Sequence, residues 1–252
     1  MLNSKIKKHI IQLKQKKYRK EYKEFLLEGL KGIRDAIDAD AEIIVIVVDG
    51  SRRDEIEFQD LVAYTKKHNI AVEYCGREDI SLIKSTETFP GILAVIAQDE
   101  SYVEDIENGP VLYLHDINDP GNMGTIIRSA DWFGIKHILL SQHCVDIYNP
   151  KVVRSTMGSL FHVYIHRIQN VFKNIEQMKE KGFHIVALDM NGKDISDAQT
   201  TKKTLYIIGS ESHGVPDELE KLIDTRYTIA GKGNAESLNV AVATAILLYT
   251  IS

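Results

Sequence analysis

The chain has 252 residues, a length suited to one large domain or two ordinary ones with a substantial core. Its hydrophobic fraction of 44% and charged fraction of 27% are typical of a globular protein, and no apolar run is long enough for a transmembrane helix. The first residues lack the apolar stretch of a secretion signal, and Cys75 and Cys144 have no CxxC partner. These features argue against a secreted or membrane protein and predict a cytoplasmic one.

The formal net charge of -5 argues against a nucleic-acid partner, but the charge is unevenly distributed. Residues 1–34 contain eleven Lys and Arg against three Glu, a local charge of +8. The rest of the chain then holds 20 basic and 33 acidic residues, a charge of -13. The basic segment is either a solvated helix face or a surface that follows the phosphates of a nucleic acid.

Strand-like and helix-like segments alternate along the first part of the chain, which is typical of an α/β architecture. The patterns predict a helix over residues 5–20, strands at 25–27, 42–48, 70–74 and 92–97, and helices ending at 37 and spanning 55–67 and 79–85. Residues 98–109 are acidic and polar with little periodicity. They predict a linker between a basic N-terminal domain, residues 1–97, and a second domain, residues 110–252.

The second part shows the same alternation. Its patterns predict strands at 111–115, 137–140, 162–165, 184–188, 204–208 and 227–229, with helices at 124–133, 150–156, 171–181 and 216–222. Continuous apolar strands such as the LYII at 205–208 suit a parallel sheet that is covered on both faces. A last, almost wholly apolar helix is predicted to begin at Ser237, which occupies an N-cap position.

Three polar loops follow apolar strands in this second part, and ligands of open α/β sheets bind beyond the carboxyl ends of the strands. The first loop leads through Asn122 into a helix that contains Arg128, so an anion at the helix start would meet backbone N–H groups and a guanidinium together. An ordinary capped turn with a surface arginine is the alternative. In the second loop, Gly209 permits close backbone approach and Glu211 supplies a carboxylate, whereas a general base at His213 is not favoured.

The third loop contains Gly231-Lys232-Gly233, but the complete glycine-rich patterns of dinucleotide and triphosphate sites are missing. Asn239 follows it within the apolar run, where an amide is either a satisfied structural group or a functional one. No group of His, Cys and carboxylate residues has metal-ligand spacing, so we expect no metal.

Taken in order, these loops resemble the three motifs of the SpoU/TrmH family of RNA ribose 2′-O-methyltransferases, members of the SPOUT class. The resemblance covers residues 110–252 and rests on DPGNMG at 119–124 with Arg128, GSE at 209–211, ESLNV at 236–240 and an intervening block at 149–159. The N-terminal part is similar to the substrate-binding domain of large-subunit rRNA methyltransferases, which is itself like a ribosomal protein.

The resemblance implies an α/β fold whose parallel C-terminal sheet ends in a deep trefoil knot, a homodimer in which the apolar last helix takes part, and S-adenosylmethionine as cofactor. It implies RNA as the substrate, rRNA before tRNA; a non-catalytic RNA-binding or ribosome-assembly protein on the same fold is the alternative. The implied catalytic residues are Arg128, Asn122, Glu211, Ser237 and Asn239. The implied cofactor-binding residues are Gly209, Ile229 and Leu238, with Leu188 at another strand end as a further candidate.

The sequence departs from the family pattern at one cofactor loop. Where the family has Ile-Pro-Met, this chain has Ile229-Ala230-Gly231. Because proline stiffens a loop, its absence predicts more motion and weaker cofactor binding. The polar catalytic positions are intact, so the departure does not predict loss of activity.

Overall fold

A computed structural model describes residues 2–99, 106–198, 203–210 and 214–252. The chain forms two compact units: Met1–Asp99 with Asp146–Phe161, and Glu100–Val145 with His162–Ser252. In the part of the chain that is described, no helix is long and apolar enough to cross a bilayer.

The first unit is a four-stranded sheet flanked by helices. In chain order its elements are α1 (Ser4–Leu13), α2 (Lys16–Tyr22), β1 (Glu24–Glu28), α3 (Leu30–Asp38), β2 (Ile43–Asp49), α4 (Ile56–Lys67), β3 (Val72–Cys75), α5 (Arg77–Ile83), β4 (Ile92–Ala97) and, after elements of the second unit, α7 (Pro150–Thr156). The strand order is β1-β4-β2-β3. β4 runs antiparallel to β1 and β2, and β2 and β3 run parallel.

Residues of β1 alternate between two buried cores. Phe25 and Leu27 pack in one core with Val153 of α7, and Leu26 packs in the other with Ile10 and Leu13 of α1. The segment Asp146–Phe161 is therefore part of the first unit because its apolar side chains complete that unit's core. Without this packing, the apolar side chain of Val153, which is only 3% exposed in the structure, would lie in water.

The second unit is built on a six-stranded sheet. Its elements are β5 (Gly109–Leu114), α6 (Pro120–Trp132), β6 (His137–Leu140), β7 (Tyr164–Arg167), α8 (Val171–Glu180), β8 (His184–Asp194), β9 (Lys203–Ile208), β10 (Thr225–Thr228) and α9 (Val240–Ile251), with a 3-10 helix at Asp217–Leu222. The strand order is β10-β8-β9-β5-β6-β7, and every neighbouring pair is parallel. The α/β class and the parallel C-terminal sheet are thus confirmed. Helices α6 and α9 pack against each other.

Some predicted elements agree to the residue, and others are wrong in instructive ways. Residues 92–97, 137–140 and 150–156 form the strands and helix predicted for them. The single helix predicted over residues 5–20 is instead two helices, because the Arg19 guanidinium donates hydrogen bonds to the carbonyls of Leu13 and Lys14, where α1 ends. Residues 217–222 form the predicted helix, which is of the 3-10 type.

Candidate active site

Strand register places the first and second predicted loops at one edge of the six-stranded sheet. Leu114, at the end of β5, pairs with Ile208 of β9, and Ile208 also pairs with Leu188 of β8. Because all three strands are parallel, the loops that follow β5 and β9 leave the sheet at its carboxyl edge, whereas β8 continues to Asp194. The carboxyl edge is where ligands of open α/β sheets bind.

The first loop is ordered by its own capping group. The Asp119 carboxylate accepts a hydrogen bond from the Asn122 backbone N–H at 2.8 Å, and Pro120 occupies the first helical position. Both features start α6 at Pro120, four residues before the predicted start at residue 124. Arg128 is exposed on α6 and makes no ion pair or hydrogen bond with the described residues, so its guanidinium is available to a ligand.

Beneath this loop lies a polar network that the sequence analysis missed. Asp116 adopts a left-handed backbone conformation (φ 53°), and its carboxylate accepts a hydrogen bond from Ser141 Oγ at 2.5 Å. The neighbouring His115 shares a 2.7 Å hydrogen bond with the Tyr113 hydroxyl. Burial lowers the pKa of His115 below its ordinary value, which favours the neutral imidazole. The sequence offers a signal for this network, a polar pair placed directly after an apolar strand.

The second loop needs glycine for a structural reason. Ser210 and Gly214 exchange two backbone hydrogen bonds of 3.0 Å, which folds the chain back on itself. A Cβ on Gly209 would lie 2.2 Å from the Gly214 carbonyl carbon. The close approach of the Gly214 backbone therefore requires glycine at position 209, and the contact of Gly209 with a ligand stays a prediction. Glu211 and His213 lie outside the described residues.

The third loop meets the first through two amides. The Asn239 Nδ2 donates a 3.0 Å hydrogen bond to Asn122 Oδ1, and Asn239 Oδ1 accepts from the backbone N–H groups of Ala241 and Val242. Asn239 is therefore the N-cap of α9, and the predicted start of that helix at Ser237 is wrong. Ser237 and the 46%-exposed Leu238 lie in the loop just before it.

An arginine links β10 to β8 near the two remaining cofactor candidates. The predicted strand end at Leu188 is wrong, because β8 continues to Asp194. Arg226 Nη1 lies 2.5 Å from Asp189 Oδ2, and Nη2 lies 2.5 Å from Glu220 Oε2. Asp189 directly follows Leu188, and Ile229 lies three residues beyond Arg226 just after β10. Both candidates are partly buried and so form part of a wall rather than a core.

The structure thus brings Asn122 and Asn239 into contact, puts Arg128 on the same helix as Asn122, and pairs Leu188 with Ile208, the residue before Gly209. Within the described part of the chain, neither Ile229 nor Ser237 forms a hydrogen bond or ion pair with another predicted site residue. Among the residues described, no group of three His, Cys, Asp or Glu side chains is arranged to hold a metal ion.

The chain is similar to known proteins over nearly its whole length. Residues 109–249 match the model of the SpoU rRNA methylase family, and residues 3–94 match an MRM3-like substrate binding domain. A Bacillus subtilis 23S rRNA (guanosine(2553)-2′-O)-methyltransferase, RlmP, is 30% identical over 94% of this chain and 92% of its own length. A 23S rRNA (uridine(2479)-2′-O)-methyltransferase of Streptomyces viridochromogenes is 32% identical over 90% of this chain and 81% of its own length.

A solved structure extends the similarity to the fold. The crystal structure of an AdoMet-bound rRNA methyltransferase from Sinorhizobium meliloti superposes with a TM-score of 0.87 at 32% identity, covering 99% of this chain and 95% of that one. With the parallel sheet, the Asn122–Asn239 contact and the family match over residues 109–249, the chain belongs to the SpoU rRNA methylase family.

Proposed function

We propose that this protein methylates a ribose 2′-hydroxyl of large-subunit rRNA with S-adenosylmethionine as methyl donor. The observation that carries the proposal is the hydrogen bond between Asn122 and Asn239, which joins the first and third motifs at the carboxyl edge of the sheet. Arg128 is exposed on the same helix. The relatives named as 23S rRNA 2′-O-methyltransferases support the reaction and the class of RNA.

The residues present suit this cofactor. An exposed apolar side chain, Leu238, and the partly buried Leu188 and Ile229 offer surfaces for a flat adenine ring. Backbone polar groups near Gly209 are suited to fix the orientation of the cofactor. When bound, S-adenosylmethionine supplies a methyl group on a sulfonium centre.

With the cofactor bound, one bond would form and two would break. The ribose 2′-oxygen would bond to the methyl carbon as the carbon–sulfur bond breaks, the neutral thioether would leave, and the hydroxyl proton would pass to solvent water. Positioning the two reactants is worth up to about 7–11 kcal/mol in well-oriented systems. We assign Asn122, Glu211, Ser237 and Asn239 to the wall that positions the ribose.

Arg128 is assigned to the substrate rather than to proton abstraction. A guanidinium keeps its proton in proteins and therefore makes a poor general base. As a fixed cation it binds an RNA phosphate and stabilises negative charge that develops on the 2′-oxygen.

The remaining features of the family are part of the same proposal. Residues 1–97 form the substrate-binding domain, residues 98–109 the linker and residues 110–252 the methyltransferase domain, with a trefoil knot in its C-terminal segment; within 110–252, Asp146–Phe161 packs with the first unit. The protein works in the cytoplasm as a homodimer. A homodimer is supported by the large exposed side chains Trp132 on α6 and Tyr249 on α9, which are 83% and 74% exposed.

Two experiments test the function. Isothermal titration with S-adenosylmethionine is expected to show binding, and its absence would leave only the non-catalytic RNA-binding alternative. Mapping ribose methylation in cells with and without the protein is expected to show one missing site in large-subunit rRNA. A site lost from tRNA would correct the substrate, and an unchanged map would contradict the enzyme.

Substituting Arg128 tests the mechanism. We expect Arg128→Ala to abolish methylation with little change in stability, because an exposed side chain without a described partner usually shifts the free energy of unfolding by less than about 0.5 kcal/mol. Cofactor affinity should be unchanged. Arg128→Lys is the control for charge. Loss of cofactor binding together with activity would contradict a substrate-side role.

A further inference from the structure

Six basic residues of the N-terminal segment fall into two sets. The first set has structural partners. Lys7 Nζ donates to the Asp79 carboxylate at 2.8 Å, Lys14 Nζ donates to the carbonyls of Leu82 and Lys84, and Arg19 forms a 2.7 Å ion pair with Asp146. These three cations are part of the fold of the first unit.

The second set lies on one face of α2. Lys16, Lys17 and Lys20 are exposed, and none has an ion pair within the described part of the chain. At 3.6 residues per turn, these positions fall within about 100° of one another around the helix. The acidic residue of α2 is Glu21. Tyr18 and Tyr22 stack on each other on the adjoining side, with ring centroids 5.9 Å apart.

Helix α2 is held rigidly although it is short. Seven residues are too few for a stable isolated helix, so tertiary contacts must fix it. Arg19, only 3% exposed, ties it to Asp146 and to the end of α1, and Gln98 Nε2 donates to the Arg19 carbonyl at 2.9 Å. The three lysines, of which Lys17 also places its Nζ 5.5 Å from the centroid of the Tyr18 ring, therefore project from an anchored helix and not from a mobile arm.

We infer that the Lys16, Lys17 and Lys20 face of α2 binds the phosphate backbone of the substrate RNA. The inference rests on the proposed function, and it adds the contact surface and its mode of recognition. Lysine ammonium groups are point charges that bind phosphates without reading base sequence. Anchoring by Arg19 lowers the entropy that is lost on binding. The surface thus contributes affinity and orientation, and selects no nucleotide.

Substitution is the appropriate test, because deleting the N-terminal segment would remove Ile10 and Leu13 from the core. The test variant is Lys16→Gln/Lys17→Gln/Lys20→Gln. The control is Lys31→Gln/Lys66→Gln/Lys67→Gln, which removes three exposed helix lysines from α3 and α4 of the same unit. Both variants change the net charge equally.

The measurement is binding of the full-length protein to deproteinised large-subunit rRNA from cells that lack it, between about 50 and 300 mM KCl. We expect the test variant to bind about tenfold or more weakly at low salt, with the slope of log affinity against log salt reduced by about 2 to 3. The control should keep the wild-type slope. Both variants should keep wild-type affinity for S-adenosylmethionine.

The outcomes separate the two proposals. Equal slopes for the test variant, the control and the wild type would overturn the α2 surface while leaving methylation intact. A second outcome is that the test variant shows the expected reduction in slope but the wild type never methylates the rRNA. That result would support the α2 surface and contradict the methyltransferase function. Wild-type protein that does not bind rRNA would overturn the surface.

Discussion

Asn239 combines two roles that a substitution is able to separate. Its side-chain oxygen caps α9, and its side-chain nitrogen donates to Asn122. Serine retains an oxygen that caps a helix but has no amide donor that reaches Asn122. Asn239→Ser should therefore preserve the helix and break the link between the first and third motifs.

We expect Asn239→Ser to keep wild-type stability and to lose most methylation activity. Asn239→Ala should lose the same activity and, because the cap is also gone, about 1 kcal/mol of unfolding free energy. Urea unfolding and a methyl-transfer assay on the same samples check both. Full activity of Asn239→Ser would show that the Asn122 contact has no functional role.

The same residue shows where local sequence reasoning stops. Ser237 and Asn239 are both good N-cap residues at the start of one apolar run, so the pattern alone does not choose between them. The choice is made by Asn122, which lies 117 residues earlier in the chain. That contact is non-local, whereas the cap of α6 by Asp119, three residues before Asn122, follows a local rule.

At the scale of elements, Arg226 links β10 to the middle of β8 through Asp189 and to the 3-10 helix at Asp217–Leu222 through Glu220. We expect Arg226→Ala to weaken S-adenosylmethionine binding by about tenfold, because the segments around Leu188 and Ile229 lose their common tie. Arg226→Lys should be intermediate, since one ammonium does not reproduce two guanidinium contacts.

Titration calorimetry measures this effect. Arg53→Ala is the control, because Arg53 contacts Asp54 at 3.7 Å and both side chains are largely exposed. Wild-type affinity in Arg226→Ala would mean that the ion pairs do not position the cofactor segments.

The junction of α1 and α5 predicts a pH dependence. The Asp79 carboxylate accepts hydrogen bonds from Lys7 Nζ, the Leu2 N–H and the Gly76 N–H. These bonds, that from Lys7 first, lower the pKa of Asp79 from 3.8 to about 2. Because the folded pKa is the lower one, the stabilisation is complete above the unfolded value of 3.8 and is lost as pH falls through about 2.

Asp79→Asn keeps the shape but not the charge. At neutral pH we expect it to reduce the free energy of unfolding by about 1–3 kcal/mol. Below about pH 4 the curves of variant and wild type should converge as the wild-type carboxylate takes up its proton. Urea unfolding across this pH range measures the difference in unfolding free energy between variant and wild type. If that difference does not change with pH, Asp79 is not the source of the pH dependence.

At the scale of the molecule, the alternation of strands and helices predicted both sheets, because periodicity and apolar runs report local burial. The sequence did not indicate that Asp146–Phe161 would join the first unit. That assignment depends on Tyr148 and Phe161 packing near Phe25, with ring centroids 4.7 and 6.3 Å from it. Contacts across more than a hundred residues leave no periodic signal.

The proposed homodimer is tested in the full-length protein by substitutions in the second unit. Trp132 ends α6 and is 83% exposed, and Tyr249 of α9, 74% exposed, lies beside Phe133 with ring centroids 6.4 Å apart. Large aromatic side chains exposed on two packed helices are typical of an interface, where their burial stabilises the complex. Light scattering of the wild type should give twice the chain mass of 28.5 kDa.

We expect Trp132→Glu/Tyr249→Glu to give the monomer mass, because two carboxylates buried in an apolar interface would be strongly disfavoured. Ile56→Glu is the control, since Ile56 on α4 is 75% exposed and lies in the other unit. Dissociation by both variants would point to a general loss of folding, and a monomeric wild type would contradict the dimer. If the dimer alone is lost while cofactor titration is unchanged, the aromatic surface of α6 and α9 is the interface and each chain binds its cofactor independently.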